Sequence, residues 1–189
     1  MDNRMFCFQC EQTAGCTGCV GNAGVCGKTA DVSKLQDKLT GALVGLSRVL
    51  NNAPDVNEST WHLVIKGLFT TVTNVSFNEK TLRELIDQVR TEKMRLAPVC
   101  SGCASVCGHT DDYDMENIWN AQEDIRSLKS LILFGVRGMA AYAHHAMALG
   151  YTDDEVNRFF AKALFAIGED WGMDKLLPIV MEVGEKNLK

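Results

Sequence analysis

Apolar residues recur at three- and four-residue intervals along most of the chain, the spacing of one face of an α-helix. Leu35, Leu39, Leu43, Leu46 and Leu50 predict a first helix to about residue 51, with Ser33 and Gln36 reading as its capping box. Pro54 and Asn57 mark the break. Trp61, Ile65, Leu68 and Val72 share one face of a second helix ending near Asn74. Asn78 caps a third, with Leu82, Leu85, Ile86, Val89 and Leu96 inward, and Pro98 stops it. A long helix carries Ile125, Leu128, Ile132, Val136, Met139 and Ala143 and closes at Gly150. Thr152 and Glu155 form a capping box for a helix burying Val156, Phe159, Phe160, Ala163 and Ile167. Asp174 is expected to cap the last helix. Pro178 then falls in its first turn, where a missing N–H costs nothing. No strand pattern competes.

The six helices read as a duplicated set of three. A 93-residue shift lays Val32, Leu35, Leu39, Gly45 and Leu46 on Ile125, Leu128, Ile132, Gly138 and Met139, and Cys7 and Cys10 on Cys100 and Cys103. A 96-residue shift lays KGLF (66–69) on KALF (162–165) and Asn78 on Asp174. The predicted fold is all-α, two tandem three-helix bundles, each preceded by a cysteine-rich loop. The divisions are 1–30 (cysteine loop), 31–97 (first bundle), 98–118 (second cysteine loop) and 119–189 (second bundle).

Composition narrows the function classes. Hydrophobic residues make up 46% and charged residues 23%, ordinary for a folded soluble protein. A net charge of −5 gives no basic footprint, so neither nucleic acid nor an anionic membrane is an expected partner. The start, MDNRMFCFQC, has no apolar stretch of the kind a secretory signal needs. The apolar run from Leu131 to Leu149 is broken by Arg137, His144 and His145, which fits a buried helix rather than a membrane span. The expected compartment is the cytoplasm, where four stable disulfides among eight cysteines would be disfavoured.

The chemistry lies in the cysteines. Cys7, Cys10, Cys16, Cys19 and Cys26 crowd the first loop, and Cys100, Cys103 and Cys107 the second. Soft thiolates select zinc, copper(I) or iron–sulfur clusters. Cys7-x2-Cys10 supplies a tight bidentate start that Cys19 and Cys26 can complete. Alternatively, Cys16-x2-Cys19 pairs with it as in a zinc knuckle and leaves Cys26 idle. Gly15, Gly18, Gly21, Gly24 and Gly27 let the loop turn around a cluster.

The stretch FCFQCEQTAGCTGCVGNAGVCGKTADVSKLQDKL resembles the N-terminus of hybrid cluster proteins, also called hydroxylamine reductases or prismanes. Its specific marks are CxQCEQT, CGKTA and LQD. The resemblance continues through LFTTVTNVSF and IRSLKSLILFGVRGMAAYAHHAMALGY and covers nearly the whole chain except 98–118. It implies an all-helical N-terminal domain of two three-helix bundles and an electron-transfer cluster on Cys7, Cys10, Cys19 and Cys26. The family's catalytic hybrid cluster is held by later domains, so the chain by itself is expected not to reduce hydroxylamine. The family pattern also lacks CSGCASVC and Cys16. The remaining thiols, Cys16, Cys100, Cys103 and Cys107, suggest a second cluster. His109 or Asp111 could replace Cys16 there, or the fourth position could stay open to substrate.

The eight residues between Cys10 and Cys19 resemble anaerobic members with [4Fe–4S], whereas the six between Cys19 and Cys26 resemble members with [2Fe–2S]. Two [4Fe–4S] clusters are expected, with [2Fe–2S] the alternative at the first site. The leading reading is an iron–sulfur electron-transfer protein or subunit serving a redox partner, such as a separately encoded catalytic subunit. The alternatives are an oxidoreductase related to hydroxylamine reductase with an open second cluster, and a zinc-stabilised interaction domain.

Other residues divide between site and scaffold. Lys28 either offsets cluster charge or is a solvated loop lysine. His144 and His145 are adjacent and face different sides of a helix, which argues against joint ligation. His62 reads as an exposed helix residue, and Trp61, Trp119 and Trp171 as packing. Asp111, Asp112 and Asp114 form an acidic stretch, either solvated or a docking patch for a basic partner.

Overall fold

The computed structural model describes residues 5–10, 17–53, 55–73, 75–97 and 111–189. Pro54, Asn74, Pro98, His109 and the cysteines 16, 100, 103 and 107 lie outside them. Among the described residues the chain is all-helical: α1 (Ala30–Leu50), α2 (Glu58–Thr70), α3 (Glu79–Leu96), α4 (Glu116–Trp119), α5 (Glu123–Ala148), α6 (Asp154–Gly168) and α7 (Met173–Lys186).

The predicted apolar faces are the buried ones. Leu39, Leu43 and Leu46 of α1, Leu68 of α2, Leu82 of α3, Ile132 and Val136 of α5, and Phe160 and Ile167 of α6 are fully enclosed. Removing such a side chain from water is worth about 1.5–3 kcal/mol each. They belong to one cluster drawing on all six long helices. α1 packs against α3 and α6, α2 against α5, and α5 against α7. The α1–α6 and α2–α5 contacts join the two halves of the chain. The starts of α1 and α5 are 93 residues apart, those of α2 and α6 96, and those of α3 and α7 94 rather than the expected 96.

Three helix starts differ from expectation. Thr29, not Ser33, caps α1, its hydroxyl accepting from the Val32 N–H. Ser33 and Gln36 are spent elsewhere: the Ser33 hydroxyl donates to the Phe6 carbonyl and the Gln36 amide to the Ser76 carbonyl. Asp153, one residue past Thr152, caps α6 by accepting from the Val156 N–H. Thr152 instead accepts from Asn157. Gly172 precedes α7, so Asp174 is already helical and Pro178 stands inside the helix, without an N–H for the Asp174 carbonyl. α2 also stops at Thr70, leaving Val72 half-buried beyond it. Asn78 caps α3 as expected, accepting from the Lys80 and Thr81 N–H groups. The short α4 straddles the boundary between the expected second cysteine loop (98–118) and the second bundle (119–189).

Candidate metal centre

Backbone hydrogen bonds tie together the described residues of the first cysteine loop. Cys7 and Cys19 form an antiparallel bridge, with Cys7 N donating to Cys19 O at 3.0 Å and Cys19 N to Cys7 O at 2.7 Å. The Met5 N–H reaches the Gly21 carbonyl. A second bridge, Ala23 with Thr29, closes a turn on which Cys26 sits. The loop needs glycine at two points. Gly18 and Gly27 have φ of 76° and 82°, where a side chain is strained, and a Cβ on Gly18 would lie 3.0 Å from the Phe6 ring. Cys7 is buried, whereas Cys10, Cys19 and Cys26 are half-buried, and none of the four is in a disulfide.

A buried polar cluster lies under this loop. Lys28, only 2% exposed, holds its Nζ 3.8 Å from Cys7 Sγ and donates to Gln9 Oε1 at 2.6 Å. Lys28 is therefore not a solvated loop lysine. Gln9 Nε2 donates to Asp37 Oδ1 at 2.6 Å and to the Ser33 carbonyl at 3.2 Å. From α5, the buried Arg137 donates to Gln9 O at 3.3 Å and to the hydroxyls of Thr40 and Thr71 at 3.1 Å each. Burial lowers the Arg137 pKa to about 10, opposed by the negative charge of Asp37, Cys7 and Cys10. Burial raises the Asp37 carboxyl to about 6, opposed by the Gln9 hydrogen bond and by Arg137 and Lys28. Two buried cations thus face one carboxylate and a set of thiols.

An aromatic wall closes one side. Trp119 of α4 stands edge-on to Phe6 at 5.1 Å and tilted against Phe8 at 5.2 Å, the two residues flanking Cys7. Trp119 therefore packs onto the cysteine loop as well as the helices. The other singled-out residues lie elsewhere. His144 stacks on Phe69 at 4.3 Å, and burial, then the neighbouring His145 and Lys66, lower its pKa. His62 approaches Glu58 one helical turn away. Asp112 accepts from Arg90 and Lys93, and these bonds outweigh burial to hold its carboxyl below the usual range. Asp114 accepts from the Glu116 N–H. Two of the three acidic residues are thus engaged within the chain.

Four soft donors on one folded loop, with buried cations to balance thiolate charge, fit an iron–sulfur cluster chemically. The bridge brings Cys7 and Cys19 together, but among the described residues no three His, Cys, Asp or Glu side chains stand close enough to hold one ion. The sequence profile of the Prismane/CO dehydrogenase family matches residues 5–189.

The chain belongs to the prismane/CO dehydrogenase family.

It is 37% identical to a hydroxylamine reductase of Clostridium perfringens and 39% identical to that of Caldanaerobacter subterraneus, over 96% of its length. A hydroxylamine reductase of Methanocaldococcus jannaschii is 35% identical, again over 96% of this chain. The prismane-family chain spans about 37% of the length of the curated relatives it matches. Among its described residues, no helix is long and apolar enough to cross a membrane.

Gln9 and Asp37 lie in the motifs CxQCEQT and LQD, and Arg137 interrupts the apolar run, but the sequence assigned none of them a place at the candidate site. Arg137 offered one signal, a charge on the buried stripe between Val136 and Met139.

Proposed function

We propose that this chain is a cytoplasmic iron–sulfur electron-transfer protein or subunit, with Cys7, Cys10, Cys19 and Cys26 holding a [4Fe–4S] cluster. The supporting observation is the pair of buried cations, Lys28 and Arg137, set against the four-thiol loop with the Asp37 carboxylate in reach of both. Such a cluster accepts and gives up single electrons. The chain's own residues bind it and tune it. The cations offset its negative charge, Gln9 fixes Lys28 beside Cys7, and Phe6, Phe8 and Trp119 keep water from that side. Cys100, Cys103, Cys107 and Cys16 would hold a second cluster, a reading supported by the count of thiols left over. The electron acceptor would be a protein carrying the catalytic centre.

The test is iron and sulfide content of anaerobically purified protein. Two cubanes give about eight iron atoms per chain. Half of that removes the second site, and a [2Fe–2S] spectrum at the first site replaces the cubane there. Cys100→Ser should remove one cluster and leave the other spectrum intact. A colourless, zinc-bearing protein would overturn the proposal. The name shared by the relatives supports a second reading, an oxidoreductase acting on hydroxylamine. Hydroxylamine turnover abolished by Cys103→Ser would establish it.

A further inference from the structure

We propose that Asp37 takes up a proton when the cluster on the cysteine loop takes up an electron, the two sites being joined through Gln9 and Lys28. The inference rests on the cluster reading above and adds a redox-linked proton site to it.

The path is short and its orientation is fixed by chemistry. Lys28 can only donate, so the end of the Gln9 amide that meets it at 2.6 Å must be the oxygen. The other end, Nε2, must then face Asp37, where it meets Oδ1 at 2.6 Å. Lys28 Nζ in turn stands 3.8 Å from Cys7 Sγ. Charge added at the cysteine loop therefore acts on Lys28, Gln9 and Asp37 through contiguous polar contacts. The protein interior screens charge far less than water does.

Asp37 is suited to the role by its place on α1. Only Oδ1 is held by Gln9, so a proton can sit on Oδ2 without breaking that bond. The residue is half-buried rather than fully enclosed. The groups facing it are Arg137 from α5 and Lys28 from the loop, which favour the carboxylate, and Glu116 from α4, which opposes it. Burial outweighs the cations, and the carboxyl already titrates at about 6. Thiolate ligation and reduction both add negative charge to the same cluster of groups, which strengthens proton binding further.

The step balances. One electron arrives from a low-potential one-electron donor protein, and one proton from water binds Asp37 Oδ2. On reoxidation the electron leaves to the acceptor protein and the proton returns to water. The low-dielectric site then carries the same net charge in both states. Linkage is reciprocal: if reduction tightens proton binding, protonation makes reduction easier. The potential should be level at low pH and fall as pH rises through the window between the oxidised-state and reduced-state values of Asp37.

The experiment is a potentiometric titration of the full, iron-loaded chain from about pH 5 to about pH 9, bracketing the shifted carboxyl. The expected result is a pH-dependent potential in the wild type and a level one in Asp37→Asn. Infrared difference spectra of the wild type should show a carboxylic acid C=O band appearing on reduction. This arm needs no variant, so it decides the matter if Asp37→Asn does not load. A level wild-type potential, an equal slope in Asp37→Asn, or no carboxyl band would overturn the proposal while leaving the cluster reading intact. A chain that binds no iron would overturn both.

Discussion

Arg137→Met should destabilise the metal-free protein by about 3 kcal/mol and sharply lower its iron content after reconstitution. Methionine nearly matches the arginine stem in length, so lost packing is a small part of the effect. The large part is polar. Arg137 is 4% exposed and joins three pieces of chain: the Gln9 carbonyl in the cysteine loop, Thr40 in α1, and Thr71 at the end of α2. Without it a buried carbonyl loses its donor, at roughly 1–3 kcal/mol. Asp37 also loses one of the two cations that hold its carboxyl down. The pH dependence carries the signature. A carboxyl whose folded value lies above its unfolded value binds protons more tightly when folded. Its contribution is therefore most favourable at low pH and is lost as pH rises through the folded value. For Asp37 that value is about 6, against 3.8 for the unperturbed group, and removing Arg137 moves it further up. The deficit of the variant should therefore be smaller near pH 5, where the lost hydrogen bonds remain as its pH-independent part, and widen towards neutrality. Urea denaturation at several pH values measures this. A variant within 1 kcal/mol of wild type at neutral pH, with full iron, would show that Arg137 does not tether the loop.

The same residue shows where sequence reading succeeds and stops. Helix faces are local patterns, and Leu39, Leu43 and Leu46 are buried because the period of the helix requires it. The cysteines of the first loop stand out in the sequence because their residue type has few other uses at that density. The caps were less so. Ser33 has the composition of a cap, but a hydroxyl takes the nearest good partner, and the cysteine loop brings the Phe6 carbonyl to it. That contact is tertiary, and no window of sequence around Ser33 contains it. Gln9, Asp37 and Arg137 lie still further apart along the chain. None has a role by itself, and only Arg137, reaching from α5 to Gln9 in the loop and Thr40 in α1, together with the Gln9 bond to Asp37, makes them one network. Lys28 was divided between two roles in the sequence, and burial beside Cys7 separates them.

Gly41→Ala and Gly138→Ala should move stability in opposite directions, although both replace a helical glycine by the best helix former. Gly41 and Gly45 lie one turn apart on α1 and make a shallow groove. Into it comes the backbone of residues 111–113: a Cβ on Gly41 would stand 2.1 Å from the Tyr113 carbonyl oxygen, and one on Gly45 2.9 Å from that of Asp111. The Tyr113 N–H donates to the Gly41 carbonyl at 3.0 Å, so the two backbones are tied as well as close. A main-chain oxygen cannot swing aside as a side-chain tip can. Alanine there must push the segment off α1 and lose that hydrogen bond, a cost of about 3 kcal/mol, at the upper end of overpacking. On α5, a Cβ at Gly138 would meet nothing within 4 Å. Alanine there should gain about 0.5–1 kcal/mol from reduced backbone entropy in the unfolded chain and better helix propensity. Thermal or urea denaturation of the two variants measures the difference directly. The segment that Gly41 receives follows the run carrying Cys100, Cys103 and Cys107. Gly41→Ala should therefore also deplete iron from the second site while the spectrum of the first persists. Loss of the first cluster instead, or a Gly41→Ala protein as stable as wild type, would mean that the α1 groove does not hold the second loop in place.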